Sequence, residues 1–141
     1  MVQQIKVIMV VGPTATGKTD LAVKLAQKFQ GEIINADSRQ VYKLMDIGTN
    51  KGNLNKTIFK YEYKGFKTSA YELENSGIVG WLFNIVKPNQ EFNLALFQML
   101  ANGIIADIVA RGRLPIITGG TGLYIDSLIK KYQLKDVAPD W

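Results

Sequence analysis

Ile5-Lys6-Val7-Ile8-Met9-Val10-Val11 runs without a break into Gly12-Pro13-Thr14-Ala15-Thr16-Gly17-Lys18-Thr19, and this junction decides the fold. The first stretch is short, apolar and rich in β-branched residues, as in a strand buried on both faces. The second matches G-x-x-x-x-G-K-[ST], a phosphate loop, in the strand-to-helix setting that its mechanism needs. Its glycines let the backbone wrap an anion, so that successive amide N–H groups point at phosphate oxygens. The helix that follows adds its positive N-terminal end to the same spot. Lys18 supplies a full positive charge, and the Thr19 hydroxyl is placed to ligate Mg2+. Pro13 restricts the loop and does not contradict the assignment. Gly12, Pro13, Thr14, Ala15, Thr16, Gly17, Lys18 and Thr19 are thus the expected phosphate-binding residues, in a loop type shared with ATP-binding and other nucleotide-binding enzymes.

Outward from this junction, strands and helices alternate. Leu21, Ala22, Leu25, Ala26 and Phe29 recur at helical spacing, with Gly31 in the position of a left-handed helix stop. Ile33 and Ile34 form a second short strand, ended by the polar run 35–40. A long amphipathic helix is expected from Asn93 to Arg111, with Phe97, Leu100, Ala101, Ile104, Ile105 and Ile108 on one side. Leu114 to Thr118 is a further strand, and Thr121 to about Lys131 another helix. This alternation predicts one domain over residues 1–141, a P-loop α/β core whose parallel sheet is flanked by helices. Between these elements, residues 57–73 alternate, with Phe59, Tyr61 and Tyr63 on one side and Lys60, Glu62 and Lys64 on the other. They read as an inserted β-hairpin with a turn at Gly65. Residues 51–67 hold five lysines and one glutamate, so the hairpin either contacts RNA or is a solvated arm whose aromatic face covers the core.

Composition narrows the chemistry. The 141 residues are 47% hydrophobic and 21% charged, as in a globular chain. There is no cysteine and no histidine, which excludes thiol nucleophiles, zinc knuckles, imidazole bases and Ser-His-Asp triads. Acid–base chemistry falls to Asp, Glu, Lys or Tyr, and any metal to a hard, oxygen-bound one. The net charge of +5 favours anionic partners without choosing among them. The longest aliphatic run, Val7 to Val11, is far too short to span a bilayer, and no leader precedes it, so a cytoplasmic protein with no membrane partner is expected.

Two more turns fall at strand ends. Asp37-Ser38-Arg39-Gln40-Val41-Tyr42 follows the second strand, and ligand crevices in open parallel sheets lie beyond the carboxyl ends of the strands. Asp37 there either takes a proton or holds Mg2+ through water, or it merely caps a turn. Thr118-Gly119-Gly120-Thr121-Gly122 is a third strand-to-helix turn on the same edge. Its glycines let the backbone approach a ligand, or Thr121 is simply an N-cap. The residues alone leave both pairs of readings open.

Taken together, Gly12 to Thr19, Ala36 to Tyr42, Met45-Asp46-Ile47-Gly48-Thr49-Asn50-Lys51 and Gly119-Gly120-Thr121-Gly122-Leu123-Tyr124 resemble the tRNA dimethylallyltransferase (tRNA isopentenyltransferase) family in order and placement. The resemblance implies a P-loop NTPase-like core, Mg2+ dependence and transfer of a dimethylallyl group from its pyrophosphate. The acceptor it implies is the exocyclic amine of the adenosine beside the tRNA anticodon. It makes Asp37 the catalytic base, gives Asp37, Ser38, Arg39, Gln40 and Thr121 to the tRNA, and gives the phosphate loop, with Mg2+ on Thr19, to dimethylallyl pyrophosphate. Relatives of this family carry a histidine-containing stretch where this sequence has Gly77 to Val86, and their hairpin is shorter. The family also continues past the Gly-Gly-Thr-Gly helix, with an arginine for the pyrophosphate and a helical domain for the anticodon arm. A chain ending there is expected to be monomeric, to bind the donor and to prenylate nothing alone. The alternatives are a small-molecule or nucleotide kinase on the same loop, a prenyltransferase of free adenine nucleotides, and a non-catalytic phosphate- or RNA-binding unit.

Overall fold

The computed structural model describes residues 6–11, 18–37, 54–63, 65–73, 76–83, 92–120 and 122–132, in nine elements. In chain order these are β1 (Ile8–Val11), α1 (Lys18–Phe29), β2 (Gly31–Asn35), β3 (Leu54–Tyr63), β4 (Phe66–Leu73), β5 (Ile78–Trp81), α2 (Leu94–Ala110), β6 (Leu114–Gly119) and α3 (Gly122–Tyr132). The strands form a single sheet in the order β1-β6-β2-β5-β4-β3. Its first four strands are parallel, and β4 and β3 extend it as an antiparallel hairpin. The expected α/β core is present, and the hairpin belongs to the same sheet through the pairing of β4 with β5.

Both faces of the parallel part are covered, which is why its strands are apolar at consecutive positions. Ile33, Ile116 and Val10 pack with Ala22 and Ala26 of α1 on one face. Ile34 and Ile117 pack on the other with Phe97, Leu100, Ala101, Ile104, Ile105 and Ile108 of α2 and Ile125 and Leu128 of α3. All six apolar positions expected on α2 are buried. The Asn93 side chain caps this helix by accepting from Leu96 N at 2.9 Å. Phe97 stacks on Tyr124 at 4.2 Å between ring centres, joining α2 to α3.

Two sequence expectations change, and one strand is added. Helix α1 buries its two alanines, while Leu21 and Phe29 stand about half exposed, because the small residues let the helix lie close to the sheet. The left-handed residue after α1 is Gln30, with φ 55°, and not Gly31. Gly31 is needed for space, since a Cβ there would sit 2.8 Å from both Ile116 Cδ1 and the Leu114 carbonyl. The strand Ile78–Trp81 carries no alternation long enough to be seen in the sequence, and it is what links the hairpin to the core.

Left-handed backbone at a residue with a Cβ costs about 1–2 kcal/mol, and Gln30 is exposed. Gln30→Gly is expected to raise the melting temperature by about 4 °C, as read by circular dichroism. A lower melting temperature would mean that the glutamine side chain outweighs the strain.

Candidate active site at the carboxyl edge of the sheet

Register brings three strand ends side by side. Val11 of β1 pairs with Gly119 of β6, and Thr118 of β6 pairs with Asn35 of β2. The phosphate-loop segment 12–17, the 120–121 turn and the segment after Asn35 therefore leave from neighbouring strands, each about 4.8 Å from the next. Gly12 to Gly17, Ser38, Arg39, Gln40 and Thr121 lie outside the described residues. Lys18 and Thr19 open α1, so that helix begins directly after segment 12–17 in the chain.

Asp37 is 7% exposed, one residue past the pairing of Ala36 N with Thr118 O at 2.7 Å. Its backbone is fixed by Asn35, a residue that the sequence reading passed over. Asn35 Oδ1 accepts from Asp37 N at 3.0 Å, and Asn35 Nδ2 donates to Asp37 O at 3.0 Å and to Leu82 O at 2.9 Å. The turn is thus closed by the side chain two residues earlier, an arrangement typical of Asn and Asp. Asp37 need not cap it. Leu82, with φ 65°, is held at the end of β5 by the same amide, so Asn35 ties two strand ends together. The available signal was an amide at the last position of a buried strand.

Gly119 has a reason that the sequence did not offer. A Cβ there would lie 2.3 Å from Ala36 C and 2.8 Å from Asp37 N. Its missing side chain admits the Asp37 segment, and the exposed Gly120 beyond it forms the rim. Next to it the Thr118 hydroxyl is buried and has no hydrogen-bond partner among the described residues. A carboxylate and a hydroxyl on neighbouring strand ends are hard oxygen donors of the kind Mg2+ takes one or two of, the rest being water and phosphate oxygens. Among the described residues there is no group of three or more acidic side chains, which such a site does not require.

The opposite end of β2 is a structural ion pair. Glu32, 1% exposed, accepts from Arg111 Nη1 at 2.5 Å, Arg111 Nη2 at 2.9 Å and Trp81 Nε1 at 2.8 Å, with Arg113 Nε at 3.6 Å. The hydrogen bonds to Glu32 hold the Arg111 guanidinium above its ordinary pKa, against the opposing effect of burial. Both arginines are therefore committed about 16 Å from Asp37, five strand residues away. Neither can act as a lid for a transferred phosphoryl group.

Comparison with known proteins agrees with this fold. A family model described as IPP transferase matches residues 40–140, and one described as isopentenyl transferase matches residues 5–60. A curated tRNA dimethylallyltransferase from Roseiflexus sp. (strain RS-1) is 47% identical over 135 residues, covering 96% of this chain and 38% of the relative. The crystal structure of the full-length tRNA isopentenylpyrophosphate transferase from Bacillus halodurans superposes with a TM-score of 0.73 at 37% identity, covering 97% of this chain and 39% of that one. Crystallographic snapshots of a eukaryotic dimethylallyltransferase acting on tRNA give a TM-score of 0.70 at 36% identity, over 89% of this chain and 27% of that one. The chain thus spans well under half the length of the proteins it resembles.

Proposed function

The chain belongs to the IPP transferase family, and we propose that it is the P-loop α/β portion of a tRNA dimethylallyltransferase. The observation that carries this reading is the adjacency of β1, β6 and β2, which gathers the ends leading to the phosphate loop, to Gly120 and to Asp37. The donor is dimethylallyl pyrophosphate and the acceptor is an exocyclic adenosine amine in the anticodon arm of tRNA, acted on in the cytoplasm. The base leaves its stack to reach the pocket beside Asp37. Ser38, Arg39, Gln40 and Thr121 contact it and its neighbours.

In the reaction a carbon–nitrogen bond forms as the carbon–oxygen bond to pyrophosphate breaks. The amine proton passes to the Asp37 carboxylate, and the bonding pair leaves with the pyrophosphate. Residues Gly12 to Thr19 hold that leaving group through backbone amides and the Lys18 ammonium. Thr19 would hold Mg2+, which when bound would supply positive charge to offset the charge on the departing pyrophosphate. Asn35 keeps the Asp37 backbone in place, and the burial of Asp37 limits competing water. A kinase on the same loop would need arginines over the phosphates, and with Arg111 and Arg113 on Glu32 only Arg39 of these 141 residues is left for that task.

Calorimetry with pyrophosphate and dimethylallyl pyrophosphate tests the site. The wild-type chain is expected to bind both, and Lys18→Ala to weaken both by about tenfold or more without changing the circular dichroism spectrum. Equal affinity of the variant would remove the phosphate loop from the reading. Incubation of the longer enzyme with labelled donor and tRNA, AMP or ATP then separates a tRNA acceptor from a free nucleotide, and label is expected on tRNA alone.

A further inference from the structure

One face of the β3–β4 hairpin joins the core through Ala70, Tyr61 and Phe66, and the opposite face towards its tip has no part in the chemistry above. Its register shows where it goes. Ala70 of β4 pairs with Trp81, which pairs with Ile34, and Ile34 pairs with Ile117. Since β4 runs antiparallel to β5, residues Ser69 to Phe66 continue past that level on the side of Asp37. Four residues of strand carry the hairpin end about 13 Å beyond it, some two strand spacings, or about 10 Å, sideways from β2. The hairpin is therefore a wall standing beside the candidate site.

This wall is anchored and charged. Tyr61 meets Trp81 edge-on at 5.4 Å, and Phe66 meets Phe92 at 6.5 Å, so one face is pinned to the aromatic cluster over α2 and α3. On the other face Lys60 pairs with Ser69 and Glu62 with Lys67, and Tyr71 follows two residues after Ser69. Lys60, Glu62 and Lys67 are exposed, and together with Ser69 and Tyr71 they border a shallow hollow. Neither lysine is in an ion pair with a described residue; Glu62, opposite Lys67, is the only acid facing them from the hairpin. The 17 residues from 51 to 67 hold five lysines and one glutamate, so they supply +4 of the chain's net +5. Two exposed lysines on one hairpin face, in the most basic stretch of the sequence and beside the candidate site, fit a phosphodiester backbone better than they fit solvation alone.

We propose that the Lys60–Lys67 face of the hairpin binds the backbone of the RNA whose base enters the neighbouring site. This inference rests on the reading of an RNA acceptor given above. The two ammonium groups contact phosphates and carry no sequence information, so they position the strand while the pocket chooses the base.

The test measures binding of a short fluorescent RNA hairpin, with an adenosine in its unpaired loop, to the 141-residue chain across a range of salt concentrations. Lys60→Gln with Lys67→Gln is expected to weaken binding about tenfold at low salt and to flatten the logarithmic salt dependence by about 2. Pyrophosphate affinity and the melting temperature should stay as in wild type, since both side chains are exposed. Unchanged RNA affinity and slope in the double variant would overturn the proposal, as would a wild-type chain that binds pyrophosphate but not the RNA. Loss of pyrophosphate binding by the wild-type chain itself would instead count against the phosphate site, which separates the two failures. Equal weakening by an exposed pair elsewhere, Lys24→Gln with Lys28→Gln on α1, would show a diffuse charge effect and also overturn it.

Discussion

Replacing Asp37 by asparagine is expected to slow prenyl transfer by about 100-fold or more in a full-length relative carrying this motif, with donor affinity kept. The amide has the shape of the carboxylate and still hydrogen-bonds the amine, but it cannot accept the proton as the carbon–nitrogen bond forms. The backbone will not move with the substitution, because the turn at Asp37 is closed by Asn35 and by Ala36 N on Thr118 O. Single-turnover rates with saturating donor, measured beside the donor affinity, separate the two roles. A slow step with normal donor binding marks a base. Weakened tRNA binding with a normal rate would make Asp37 a positioning residue. Asn35→Ala sharpens the distinction, since it leaves the carboxylate in the protein while removing the amide that fixes its backbone.

How much of this could be read from the sequence differs along the chain for physical reasons. The strand and helix on either side of the G-x-x-x-x-G-K-T segment were legible because that motif needs a strand before it and a helix after it. Helix α2 was legible because six apolar side chains at helical spacing leave no other face to bury. The four residues of β5 were not, because a short, doubly buried strand has neither alternation nor length to mark it. Gly119 was seen, but not its approach to the Ala36–Asp37 backbone, a contact 83 residues apart in sequence that only the sheet order reveals. Asn35 was hidden for a related reason. Its two donor contacts reach Asp37 O, which is local, and Leu82 O, which is 47 residues away. Glu32 gave no sign of its burial, because a carboxylate between a glycine and two isoleucines looks like the solvent face of an edge strand until Arg111 is brought to it.

That last pair sets the largest expected effect on stability. Glu32 is 1% exposed in the middle of the sheet, and the bidentate Arg111 supplies most of what makes an ionised carboxylate tolerable there. Arg111→Ala leaves Glu32 with the Trp81 indole and with Arg113, which stands at 3.6 Å and is itself about half exposed. Stranding one member of a buried pair costs about 3–5 kcal/mol, and Arg113 moving in offsets part of it, so a loss of about 3 kcal/mol is expected in urea unfolding. Arg111→Lys should recover little, because a single ammonium cannot reproduce two parallel hydrogen bonds. Adding Glu32→Gln to Arg111→Ala should recover most of the loss, since the neutral amide still accepts from the indole and no longer buries a charge. A double variant as unstable as Arg111→Ala alone would show that the guanidinium acts by packing rather than by pairing. Pyrophosphate affinity should be the same in every variant that remains folded. The two ends of β2 do separate jobs, and the pair that locks the sheet lies at the end away from Asp37.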